Sequence, residues 1–89
     1  MQEITLTIRH EVGLHARPAA LFVKTANRFT SQIVVEKDEQ EVNAKSILSV
    51  LTLGAGQGAV VTVRAEGEDE VEAIEALREL VVSNFGEEE

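Results

Sequence analysis

Among its 89 residues the chain has no cysteine, tryptophan or tyrosine, and only one proline, one methionine and three phenylalanines. Without cysteine no disulfide can form, and two histidines with no thiol leave too few ligands for a structural zinc site. No metal or other cofactor is expected. With so few aromatics the core must be aliphatic, and the many Val, Ile, Leu and Ala residues supply it. No run approaches the ~20 apolar residues that cross a membrane, and no signal-peptide pattern opens the sequence. The expectation is a cytoplasmic protein with no membrane contact, built as one domain over residues 1–89. A chain of this size buries roughly 60–65% of the surface its unfolded form exposes.

Positive charge is also scarce, and unevenly so. The formal net charge is -8. Residues 1–65 hold seven basic and six acidic side chains, whereas residues 66–89 hold Arg78 against ten acids. Phosphate contacts to nucleic acid need clustered Lys and Arg, so this distribution argues against nucleic-acid binding. The acidic stretch reads as a solvated helix face that favours solubility.

What is present is periodic. Ile4, Leu6 and Ile8 alternate with Thr5 and Thr7, which predicts a half-buried strand over 2–8. A loop closed by Gly13 follows, then a helix from Ala16 to about Arg28, with Ala19, Phe22, Val23, Ala26 and Phe29 at helical spacing and Pro18 in its first turn. Residues 32–37 and 40–43 read as strands joined at Asp38-Glu39, although that pair is not the favoured Asn-Gly. Ser46 stands at an N-cap position before a short helix ended by Gly54. Residues 60–66 read as a fourth strand. Asp69 and Glu72 have capping-box spacing before a last helix with the stripe Val71, Ile74, Leu77 and Leu80 or Val81, closed by Gly86. His10 is expected to face solvent at a strand end. The order β-α-β-β-α-β-α favours an α+β fold, an antiparallel sheet with its helices on one face.

Chemistry concentrates at Gly13-Leu14-His15-Ala16-Arg17-Pro18-Ala19. A helix start leaves backbone N–H groups unpaired and carries the positive end of the helix dipole, so the amides of Ala16 and Arg17 offer a seat for an anion. The same terminus disfavours a protonated ring on its rim, which keeps a histidine nitrogen free to attack. Once such a ring carried a phosphoryl group, the terminus and the Arg17 guanidinium would stabilise its charge. A histidine here is equally compatible with a loop residue that packs on the helix end. Local chemistry leaves both readings open.

The segment Gly13–Ala20, GLHARPAA, resembles the active-site signature of the histidine-containing phosphocarrier (HPr) family of the bacterial sugar phosphotransferase system. Asn43-Ala44-Lys45-Ser46-Ile47-Leu48 resembles that family's regulatory serine region, and the resemblance spans nearly the whole chain. It implies an open-faced β-sandwich with three helices over a four-stranded antiparallel sheet in order 1-4-2-3. It also implies a carrier rather than an independent enzyme, and a monomer is the expectation for so small a chain. His15 would be phosphorylated on Nδ1 by Enzyme I, with phosphoenolpyruvate as ultimate donor, and would pass the group to the A domains of sugar permeases. Arg17 would steady the phosphoryl group.

In many relatives the residue matching Ser46 is phosphorylated by HPr kinase/phosphorylase, which slows His15 phosphorylation and recruits a catabolite regulator. Ile47, Leu48 and Leu51 are partner-surface candidates, although for each of them core burial is the expectation from the apolar pattern. Lys24 and Lys45 are candidate basic rim residues for acidic partners. Val12 departs from the Ser, Asn or Thr usual in sugar-type members and resembles the nitrogen-related branch, whereas Lys45-Ser46-Ile47 resembles the sugar branch. The alternatives are a nitrogen-branch carrier and a regulatory module acting through phosphorylated Ser46.

Overall fold

Alternating apolar side chains give the sheet one dry face. The computed structural model describes residues 1–87. Strands β1 (Gln2–Thr7), β2 (Gln32–Lys37), β3 (Gln40–Asn43) and β4 (Val60–Glu66) form one antiparallel sheet in the order β1-β4-β2-β3, as expected. Ile4 and Val35 both lie opposite Val63, so the strands align their apolar sets. Helices α1 (Ala16–Ala26), α2 (Ile47–Thr52) and α3 (Glu70–Val82) contribute Phe22, Val50 and Leu77 to the same core as Ile33, Val61 and Val63. On the open face Arg64 of central β4 reaches Glu3 at 2.8 Å, Glu36 at 2.6 Å and Glu41 at 3.0 Å, tying all four strands together. Glu36, and after it Glu3, hold the guanidinium proton more tightly than in a free arginine.

Asp38 and Glu39 turn the chain between β2 and β3 with φ of 51° and 68°, the doubly left-handed geometry of a type I′ turn. Neither residue is a glycine or asparagine, so the turn is imposed by the strands it joins. Helix α1 stops at Ala26 rather than near Arg28. Asn27 ends it because its side-chain amide donates to Val23 O at 2.9 Å and to Lys45 O at 3.1 Å, competing with further helix.

The start of α3 differs from the expected capping box. Asp69 points away from its own helix and accepts from the N–H groups of Thr30 and Ser31, both at 2.9 Å, and from the Ser31 hydroxyl. Those donors, the hydroxyl first, lower its pKa to about 2. Glu70 rather than Glu72 reaches back, accepting from Gly67 N–H at 3.1 Å. Val71 is exposed, and Ala73, Ile74, Leu77 and Val81 form the buried stripe. The helix ends at Val82, not at Gly86. Asn84 and Phe85 then take φ of 57° and 59°, folding the chain back so that Phe85 is buried.

Candidate functional site

The loop before α1 is fixed from beneath. Gly13 has φ of +70°, and a Cβ there would meet Ala55 O at 2.4 Å, so only glycine fits. Leu14 is buried, and its N–H donates to the same carbonyl at 2.7 Å. His15 follows as the N-cap of α1, extended at φ -147° and ψ 160°, with its ring exposed and making no capping bond. Ala16 is left-handed at φ 51°, a conformation that costs an L-residue about 1–2 kcal/mol. Placed before helical Arg17, it gives the alternation of hands found in anion-binding backbone nests.

Among the described residues the backbone N–H groups of Ala16 and Arg17 have no hydrogen-bond partner. Pro18 has no N–H, and that of Ala19 makes only a long bond to His15 O, at 3.4 Å. The His15 ring likewise engages no polar partner among them. Beside it Val12, Leu14 and Leu51 line a shallow depression of about 220 Å³. The Arg17 side chain is 71% exposed, with Nη1 3.7 Å from Glu87 Oε2, beyond hydrogen-bond reach. The arrangement can receive a small anion against the ring and two amides, with the exposed Arg17 guanidinium two residues on.

His10 is not solvent-facing: it is 6% exposed. Its Nδ1 accepts from Val12 N–H at 3.2 Å, its Nε2 lies 2.9 Å from Glu87 Oε1, and its ring meets Phe85 edge-on at 5.9 Å. Sequence reasoning missed both His10 and Glu87. No local pattern marks the pair, because the left-handed Asn84-Phe85 turn is what brings them together.

The second candidate segment divides. Ser46 caps α2, its Oγ accepting from Ser49 N–H at 3.3 Å. Ile47 and Leu48 are 40% and 74% exposed, contrary to the expected core burial, because a six-residue helix can turn only one face inward and Val50 occupies it. Leu51 is half-buried. Lys24 is exposed on α1, whereas Lys45 is anchored, its Nζ donating to Phe29 O at 2.6 Å. Val12 is exposed and adds an apolar side chain near His15.

The family profile described as "PTS HPr component phosphorylation site" matches residues 2–83. The chain belongs to the HPr family. The family includes phosphocarriers of the phosphotransferase system, which are carriers rather than independent enzymes. The chain is similar to the HPr-like protein Crh of Halalkalibacterium halodurans, 53% identical over 77 residues, 86% of this chain and 92% of that protein. It is also similar to the phosphocarrier protein HPr of Xylella fastidiosa, 46% identical over 87 residues, 98% of each chain. Among solved structures, HPr-C-His from Thermoanaerobacter tengcongensis superposes with a TM-score of 0.98 at 60% identity, covering 100% of both chains. Among the described residues of this HPr-family chain, no helix is long and apolar enough to cross a membrane, and no group of three or more His, Asp or Glu could hold a metal.

Proposed function

We propose that this HPr-family chain carries a phosphoryl group on His15, received from Enzyme I and passed to the A domains of sugar permeases. The observation that carries this reading is the exposed His15 ring, free of polar partners, beside the open amides of Ala16 and Arg17. In this reading the unprotonated Nδ1 attacks phosphorus on Enzyme I. The bond from phosphorus to the donor atom breaks as the new P–N bond forms, and the same displacement at the permease domain returns the ring to its starting state. Little more than positioning and charge stabilisation is asked of the protein. Arg17, held only loosely by Glu87, supplies a guanidinium to the transferred oxygens. Val12, Ile47, Leu48 and Leu51 form the apolar part of the docking surface, with Lys24 steering acidic partners at its rim. The protein acts as one cytoplasmic carrier domain.

Ser46 is the regulatory position in this reading. Its hydroxyl stands at the start of α2 beside the exposed Ile47 and Leu48, so a phosphate there would place a dianion at a favourable helix terminus and inside the docking surface. It would hinder Enzyme I by charge and bulk while offering a catabolite regulator a new contact. The similarity to Crh as well as to HPr favours keeping this second output beside the first.

Incubation with phosphoenolpyruvate and a cognate Enzyme I is expected to give an acid-labile, base-stable phosphoprotein that His15→Ala abolishes. Equal labelling of that variant would overturn the carrier reading. Acid-stable phosphate on Ser46 alone would leave only the regulatory one.

A further inference from the structure

We propose that buried His10 is a positioning residue for Arg17, acting through Glu87. The inference rests on the reading of His15 as phosphoryl acceptor. A buried ring must satisfy both nitrogens. Val12 N–H occupies the Nδ1 lone pair, which leaves the proton on Nε2, directed at Glu87 Oε1 2.9 Å away. Glu87 therefore presents one oxygen to His10 and only the other, Oε2, to Arg17 Nη1 at 3.7 Å.

The chain is bent to reach this arrangement. Asn84 and Phe85 are both left-handed, and a bulky residue with positive φ persists only where its surroundings over-determine it. Burial of Phe85 against the His10 ring supplies that constraint and delivers Glu87 to the site two residues later.

The consequence is a graded counter-charge. Glu87 shields Arg17 in the resting protein and competes with, and repels, a phosphoryl dianion on His15. With both oxygens free, the carboxylate could close on the guanidinium as a bidentate pair, the strong form of this contact. His10 prevents that by keeping one oxygen occupied, so Arg17 stays loosely held and is released when the phosphoryl group arrives.

The test compares the equilibrium constant for His15 phosphorylation by Enzyme I at fixed phosphoenolpyruvate and pyruvate in the full chain and its variants. Glu87→Gln is expected to raise it about two- to fivefold, the range for exposed ion pairs. His10→Phe, which keeps the buried ring, is expected to lower it about twofold. The double variant should match Glu87→Gln alone, because His10 acts only through Glu87. An effect of His10→Phe that persists in the Glu87→Gln background would show a merely structural role and overturn the inference. So would the absence of any shift in Glu87→Gln. In the wild type, long-range ¹H–¹⁵N spectra should find the His10 proton on Nε2, and a proton on Nδ1 instead would overturn it without reference to phosphorylation. Failure of wild-type His15 to accept phosphate would remove the carrier reading and this inference together, whereas normal phosphorylation with unmoved variants would remove the inference alone.

Discussion

At His15 three single-residue choices meet. Gly13 allows the loop to lie against Ala55, Ala16 accepts a left-handed backbone, and Pro18, with no N–H, loses no hydrogen bond in the opening turn, where that donor would have no helical partner. Gly13 is the most exacting, since an alanine would need both a strained φ and a Cβ inside the carbonyl of Ala55. Gly13→Ala is expected to destabilise the fold by about 2–3 kcal/mol, read from the urea midpoint. A loss below about 0.5 kcal/mol would show that the loop yields freely. At this scale His15, Arg17 and Ser46 stood out because they sit in contiguous motifs, but their roles came from the family resemblance, since local chemistry left two readings open. His10 did not show itself, because its burial depends on Phe85 and Glu87, which contact it only after the whole chain has folded.

Among the elements, the strands were legible because period-two alternation maps directly onto one buried face. Helix ends were less so. Asn27, Asp69 and Asn84 each set a boundary through bonds or backbone angles that no local periodicity contains. Two boundaries give tests. The Asp38-Glu39 turn uses two ordinary residues at left-handed angles, so Asp38→Asn with Glu39→Gly should stabilise the protein by about 1 kcal/mol. The corresponding rise in thermal midpoint is about 4–8 °C. An unchanged midpoint would mean that this turn carries no strain. The knot at Asp69 has a pH signature. Its folded pKa, about 2, lies below the ordinary carboxylate value. Its contribution is therefore complete above the unfolded pKa and is lost as pH falls from about 4 towards 2. Thermal midpoints measured from about pH 5 to about pH 2 should fall less steeply in Asp69→Asn than in wild type. Parallel curves would place the acid sensitivity elsewhere.

Over the whole molecule the two sheet faces have different duties. One is sealed by three helices, and the other is polar and tied across all four strands by Arg64. The exposed apolar side chains near His15 and on α2 belong to neither duty, which is why they read as a partner surface. The apolar pattern alone does not reveal their exposure, since a run such as Ile47, Leu48, Val50 and Leu51 looks the same whether it fills a core or faces outward; only the family resemblance made Ile47, Leu48 and Leu51 partner-surface candidates. Leu48→Glu is expected to leave stability within about 0.5 kcal/mol of wild type and to weaken association with Enzyme I about tenfold. Unfolding of that variant would instead assign Leu48 to the core. The most direct measurement of the central claim is a ³¹P–¹⁵N correlation on protein labelled at histidine nitrogen after reaction with phosphoenolpyruvate and Enzyme I. The phosphocarrier account predicts one phosphorus bonded to His15 Nδ1, with the His10 signals showing no bonded phosphorus. Phosphorus on any other nitrogen, or on none while the enzyme is active towards another carrier, would contradict it.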